Sequence, residues 1–345
     1  MWSKKVSVFL IILLVSLTAL GCASGSSSDG SQGDDSNGEK KAITKWPSDR
    51  VTMILPFDAG GSLDRMMRTL SQHLENELDT KITIDNRPGA ATQVGTTMFM
   101  NSADDGSFFF GGTQLYLSAS IILQTADYDI DDFAMVNIEQ FDPVVITVHK
   151  DSPIQTFEQL IEMAKNNPGK LSYSTVSGGP LHLTGVLLED ALDIKLNPIF
   201  YDGGGEMRNA LLGKHVDFMI GNALGDSAIA DQVRVLAVSA EEKMDLWPDS
   251  PTINDELKEY SVEIPQVGSV RFIGVHRTFK EKHPELFNHL VDAYESVYYS
   301  DEYQQFIEES NAVEVSEFRG PEKSDTLNKE LHELLMKYKD EMSGN

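Results

Sequence analysis

The sequence predicts an α/β protein of two lobes facing one another across a ligand cleft. Three observations carry this. From Trp46 onward, strand-like apolar runs alternate with amphipathic helical segments, the pattern of a parallel sheet with helices packed on it. Glycine-rich loops join strand to helix near the start of each half, at residues 58–62 and 177–180. The chain passes between the halves twice, near residues 143–146 and 264–268. Lobe 1 is therefore expected to comprise 45–144 plus 267–345, and lobe 2 to comprise 145–266. Ligands in open α/β sheets bind at the carboxyl ends of strands, so both glycine loops are expected on one cleft.

The elements follow in order. "VTMILPF" (51–57) reads as a buried strand, and 62–78 as a helix with Leu63, Met66, Met67, Leu70 and Leu74 on one face. "KITIDNRPG" is a second strand closed by a Pro-Gly turn, "TTMFMNSA" a helix, and "SFFFGGTQ" a third strand. "FDPVVITVHKDSP" (141–153) is the next strand, and "TFEQLIEMAKNNPG" a helix with a Pro-Gly stop. "KLSYSTVSGGPLHLTGVLLEDAL" repeats strand, glycine loop and helix. "NPIFYDGGGEMRNALLGKHVDFMIGN" adds a third glycine loop, a short helix and a further strand. "VRVLAVSA" and "VRFIGVHRTF" are strands, and the tail from Lys280 is helical, most clearly in "FNHLVDAYESVYYS" and "DTLNKELHELLMKYKDEM".

With 345 residues and 41% hydrophobic content, the chain fills cores of ordinary domain size. Its net charge of −26 argues against binding nucleic acid through phosphates and against docking on anionic lipid by charge alone. The first residues read as a signal peptide, 1–21: Lys4 and Lys5 precede an apolar run from Val6 to Leu20 that is short for a membrane span. Cys22 follows at once and is the only cysteine, so no intramolecular disulfide forms. "LTALGC" resembles a bacterial lipoprotein lipobox, with Ala19 where leucine is usual; Cys22 is the expected lipidation site. Residues 22–44, rich in Gly, Ser and Asp, are expected to form a flexible tether. The body is thereby expected outside the cytoplasm, lipid-anchored to the cell membrane at the surface or in the periplasm.

The stretch "LPFDAGGSLD" is the first candidate site. Gly60 and Gly61 permit a tight turn and close backbone approach. Ser62 is expected to cap the helix, whose first N–H groups lack intrahelical partners and carry partial positive charge. This is an anion site with no cationic side chain. A Walker A loop needs a Lys-Ser/Thr pair after its last glycine, and none is present, so a small carboxylate suits the loop better than a triphosphate. "STVSGGPLHL" is the same device in the second half. In the third loop, Glu206 is expected to face away from an anion.

These stretches resemble the solute receptors of tripartite tricarboxylate transporters, the Bug family. The resemblance runs through "ILPFDAGGSLD", "DNRPGAATQVG", "DDGSFFFGGT", "YDIDDFAMV", "NNPGKLSYST", "HLTG", "IFYDGGGEMRNALLGKHVDFMIGN" and "RVLAVSAEE", in that order. It implies a periplasmic-binding-protein fold of the Venus-flytrap, type II-like kind. It implies a monomeric receptor that holds a small organic carboxylate through backbone amides, hydroxyls and water, performs no chemistry, and delivers its load to membrane permease subunits. Carried over by position, the first loop is Phe57, Asp58, Ala59, Gly60, Gly61, Ser62 and Asp64. The second is Thr175, Ser177, Gly178, Gly179 and His182, one residue shorter than the family's usual version. Thr113 and Asn222, at strand ends, are candidate selectivity positions. A carboxylate-sensing module that signals through a membrane kinase is the alternative.

Other chemistry finds less support. No G-x-S-x-G elbow accompanies His182 and Ser177. Asp127, Asp129 and Asp131 have calcium-loop offsets, but Asp132 stands where glycine is required and Ile138 where the bidentate glutamate is required. No metal site or cofactor is expected. Asp217 is left as either a ligand contact or a structural carboxylate.

Overall fold

The computed structural model describes residues 46–343. The signal peptide, Cys22 and the tether lie outside the described residues. β1 (Arg50–Leu55), α1 (Ser62–Leu78), β2 (Lys81–Asn86), α2 (Gln93–Met100) and β3 (Phe108–Thr113) form the expected alternating run. β1 pairs in parallel with both β2 and β3. α1 buries Leu63, Met66, Met67, Leu70 and Leu74, the face its spacing marks out. It stops at Asp79 in the left-handed region, whose N–H bonds to Glu75 O.

α3 (Gln114–Gln124) follows β3 without a loop, in a stretch with no polar face to mark a helix. β4 (Phe133–His149) is 17 residues long and begins well before the expected start at Phe141. Asn137, Glu139, Gln140 and Asp142 break its apolar pattern, yet all four are at most 2% exposed. Each is paired. Asn137 Oδ1 accepts from the N–H groups of Arg319 and Gly320, both at 2.9 Å, and Glu139 accepts from two tyrosine hydroxyls. Buried polar partners supplied from elsewhere in the chain make this strand unreadable from local pattern alone.

The chain continues through α4 (Phe157–Asn166), β5 (Ser172–Thr175), α5 (Pro180–Leu192), β6 (Asn197–Phe200), α6 (Gly204–Leu212), β7 (Phe218–Asn222) and α7 (Ala223–Asp226). β8 (Val233–Val238), α8 (Ile253–Leu257) and β9 (Gly268–His276) follow. The tail is α9 (Arg277–Lys282), α10 (Pro284–Tyr298), α11 (Asp301–Glu309), α12 (Gly320–Lys337) and α13 (Lys339–Met342).

The strands join in the order β2-β1-β3-β9-β4-β7-β5-β6, with β8 also on β4. β4 is the shared spine. Its first part, to Pro143, runs antiparallel to β9, and its second part, from Val144, pairs with β7 and β8. Alternate side chains of β4 enter opposite cores: Phe133, Met135, Ile138 and Ile146 join one, Ala134, Val136 and Val145 the other. α12 returns to support the irregular half of β4. Ser324 Oγ accepts from Ile138 N–H at 2.8 Å and Asp325 Oδ1 from Met135 N–H at 3.1 Å. The result is an α/β fold of two lobes.

Candidate ligand-binding cleft

β1 ends at Leu55, and the chain turns through Pro56–Gly61 into α1. Gly60 has φ +83°, a left-handed conformation that other residues adopt only at a cost. The helix cap is Gly61, not Ser62. The first intrahelical bond runs from Arg65 N–H to Gly61 O at 3.0 Å, so the preceding helical N–H groups face outward from the mouth.

Asp64 holds this loop in shape. Its carboxylate accepts from Gly60 N–H at 2.8 Å, Asn86 Nδ2 at 2.9 Å and Arg68 Nε at 2.9 Å. Burial works to raise its pKa, but these donors outweigh it and hold the carboxyl down at about 2. Asn86 Nδ2 also donates to Phe57 O at 3.1 Å. Asp64 is thus occupied with the loop's own backbone rather than left free for a partner.

The expectation of an anion site without a cation needs correction. Arg271, from β9, stands behind the α1 mouth. Its Nη2 donates to Ser62 Oγ at 3.1 Å and lies 3.4 Å from Asp142 Oδ2, and its Nη1 donates to Gln140 Oε1. Ser62 therefore spends its hydroxyl on a guanidinium and not on a cap. Asp142 Oδ1 in turn accepts from Leu224 N–H at 2.8 Å. The Arg271 side chain is 7% exposed and that of Asp142 is fully buried. Burial lowers the Arg271 pKa and raises that of Asp142, and their mutual attraction opposes both shifts. Ser62 and Arg271 lie 209 positions apart. The only local sign was a basic residue inside an apolar strand.

The mouth opens on a cavity of about 1090 Å³. Of the residues singled out in the sequence, Phe57, Asp58, Gly60, Gly61, Ser62, Asp64, Thr113, Ser177 and Asn222 line it. Thr113 is paired with Arg271 across β3 and β9, and Asn222 Nδ2 donates to Asp142 O at 3.2 Å. Ala59, Thr175, Gly178, Gly179 and His182 are not on the wall. Ala59 is exposed. Thr175 and His182 are buried, and burial pushes the His182 imidazole down to about 4, which keeps it neutral at pH 7.

The second glycine loop instead meets α3. A Cβ on Gly179 would lie 2.3 Å from the Tyr116 ring of α3, and that ring stands edge-on to Phe57 at 5.9 Å. The missing side chain at Gly179 lets this loop touch α3. Gly179→Ala is expected to cost about 1–3 kcal/mol through overpacking, and Tyr116→Ala in the same chain to recover part of it. Chemical denaturation of the two variants checks this; equal stability of Gly179→Ala and wild type would contradict it.

On the lobe 2 side the wall comes mainly from the third glycine loop, Gly203–Gly205, with Arg208 and Asp226. Glu206 turns back, as expected, and accepts from Asp202 N–H at 3.3 Å. Asp217 is structural: it accepts from Ser172 N–H and Oγ at 2.8 and 2.7 Å. Asp129 and Asp132 form a capping box around Ile130–Asp132. No cluster of three or more His, Cys, Asp or Glu side chains suited to a metal occurs among the described residues.

The family described as "Tripartite tricarboxylate transporter family receptor" matches residues 66–329, most of the chain. This chain belongs to that family. The match begins inside α1, so the Gly60–Ser62 mouth precedes it. The receptor is similar to BugT of Bordetella pertussis, with 27% identity over 214 residues, 60% of this chain and 66% of BugT. It is similar to a UPF0065 protein of Cupriavidus necator, with 28% identity over 257 residues, 72% of this chain and 75% of the relative. A Pseudomonas relative, at 27% identity, is matched over 64% of its own length. In fold, the receptor is similar to MatC of Rhodopseudomonas palustris with bound malate, at TM-score 0.71 and 20% identity, covering 84% of this chain and 99% of MatC. It is also similar to an R. palustris protein with adipate, at TM-score 0.72 and 23% identity, covering 87% and 99% of the two chains.

Proposed function

We propose that this protein is an extracytoplasmic receptor that captures a small organic carboxylate between its lobes and delivers it to a tripartite tricarboxylate-type membrane permease. In this reading acylated Cys22 and the 22–44 tether hold the body at the membrane. Lobe 1 is 45–144 plus 267–345, lobe 2 is 145–266, and the crossings near 143 and 267 act as hinges. The protein carries out no chemistry on its ligand.

One observation carries the reading. An open helix mouth, built by Gly60, Gly61 and Ser62 and backed by the Arg271 guanidinium, faces a cavity of about 1090 Å³ with ample room for a small acid. Arg271 steadies the mouth by donating to Ser62 Oγ, while Asp142 compensates its charge. The carboxylate-bound solved proteins of the same fold support the choice of ligand class.

A thermal-shift screen with citrate, succinate, glutamate, aspartate, nicotinate and terephthalate tests it. A ligand at 100 times its Kd stabilises by about 2.7 kcal/mol, a visible rise in Tm. At least one acid is expected to give that rise. A folded protein unmoved by any of them would contradict the carboxylate reading.

A further inference from the structure

We propose that Arg208 selects ligands that carry a second acidic group, and that Asp226, its present partner, releases Arg208 to that group by taking up a proton. The proposal rests on the carboxylate reading above and goes beyond it by assigning the second acidic group to Arg208 and a coupled proton to Asp226.

Arg208 belongs to α6 and folds back over the start of its own helix. Its Nη1 lies 3.1 Å from where a Cβ of Gly204 would stand and 3.6 Å from that of Gly225. A Cβ on Gly204 would crowd the guanidinium, whereas one on Gly225 would only touch it, and Arg208 stands with both glycines on the cavity wall. The Arg208 side chain is 27% exposed. Its ion pair is a single contact, Nη1 to Asp226 Oδ1 at 3.4 Å, longer than the roughly 2.7–2.9 Å of a well-made charged hydrogen bond. A guanidinium offers five donors in a fork shaped for a carboxylate, and this one is held loosely at a cavity wall.

Asp226 is the unusual partner. It is 2% exposed, and its Oδ2 is buried without a hydrogen bond. That oxygen lies against Gly221, where a Cβ would be only 1.8 Å away. Two charged groups face it: Arg208 from α6 and Asp142 from β4. Arg271, from β9, is committed to Asp142. A ligand carboxylate that engages Arg208 bidentately would leave Asp226 as a second buried anion beside Asp142. An uncompensated buried charge is costly, and a proton removes it. Burial already pushes the Asp226 carboxyl up to about 7, against the pull of Arg208 and with the push of Asp142. Weakening that pull raises it further. The complex therefore favours the protonated form. Binding takes up a proton above about pH 7, and affinity falls by up to about tenfold per pH unit there.

The cavity thus carries guanidinium groups on both sides: Arg271 behind the α1 mouth, with Arg65 beside it donating to Gly60 O at 2.6 Å, and Arg208 at the α6 mouth. A diacid spans both, whereas a monoacid leaves Arg208 with Asp226.

The test is calorimetric titration of the purified full chain with glutarate and adipate and with their monoamides, at pH 7.5 in buffers of different ionisation enthalpy. Wild type is expected to bind a diacid about 10- to 100-fold more tightly than its monoamide, with uptake of most of a proton. Arg208→Gln should bind diacid and monoamide alike. Asp226→Asn, a near-isosteric change, should bind the diacid without proton uptake. The double variant, which leaves no buried charge unpaired, should match Arg208→Gln and guards against misfolding of the single one. Diacid preference that persists in the double variant, or unchanged proton uptake in Asp226→Asn, would overturn the proposal while leaving the carboxylate reading intact. Failure of wild type to bind any of the four probes would overturn the proposal, and failure with the acids of the thermal-shift panel as well would overturn both.

Discussion

Replacing Arg271 with methionine is expected to lower folding stability by about 3–5 kcal/mol, the usual cost of stripping one partner from a buried ion pair. The reason lies in what remains. Asp142 is fully buried on β4 and has Arg271 as its ion-pair partner. Gln140 Oε1 and Ser62 Oγ lose their donor in the same step. The methionine fills much of the volume, so the loss reports charge and hydrogen bonding more than cavity formation. Arg271→Met combined with Asp142→Asn should regain a large part of the loss, because no buried charge is then unpaired. Urea denaturation at pH 7 measures both. A loss below about 1 kcal/mol in the single variant would place Arg271 among weak, solvent-screened pairs and contradict the account of the α1 mouth.

Glu139 gives the second large effect, seen as a change of stability with pH. It is fully buried on β4. Tyr294 Oη donates to its Oε2 at 2.8 Å, and Tyr303 Oη donates at 2.9 Å to the same oxygen. Burial pushes its pKa from 4.5 up to about 7, although the two hydroxyls and Arg271 pull it down. The folded protein therefore holds the proton where the unfolded chain has released it. The associated stability is full below about pH 4.5 and is lost as pH rises through 7, by on the order of 3 kcal/mol. Glu139→Gln cannot titrate. Stability curves of wild type and Glu139→Gln should diverge across that window, with wild type falling relative to the variant as pH rises. Asp226 shifts in the same direction but is present in both proteins and cancels in the difference. Parallel curves would contradict the assignment.

The two-lobed α/β architecture was legible because it rests on local signals. The apolar face of α1, the Pro-Gly stop after α4 and the glycine loops before α1, α5 and α6 all stand in short stretches of sequence. The first half of β4 was not legible, since Asn137, Glu139 and Gln140 resemble a solvated loop until Arg319, the two tyrosines and Arg271 are folded against them. The cleft divides in the same way. Gly60, Gly61, Ser62, Thr113, Ser177 and Asn222 were found from turn chemistry and strand ends, and all line the cavity. Gly179 and His182 belong to the expected second mouth, yet Gly179 packs on Tyr116 and His182 is buried off the wall, so that loop brings Ser177 to the cavity and shares the wall with Gly203–Gly205 and Arg208. Arg271, Arg208 and Asp226 escaped notice because their importance comes from partners on other elements. No spacing rule links β9 to the start of α1.

The central claim is that the Gly60–Ser62 helix mouth receives a carboxylate. Calorimetric titration of wild type and Gly61→Val with an acid that raises Tm tests it most directly. Gly61 lines the cavity, has φ −68°, and a Cβ there meets Asp58 O at an ordinary 3.6 Å. Valine is therefore expected to fold normally while obstructing backbone approach. One ligand per chain in wild type, with no measurable binding to an equally stable Gly61→Val, is the predicted result. Wild-type affinity in Gly61→Val would remove this mouth from the site and contradict the account.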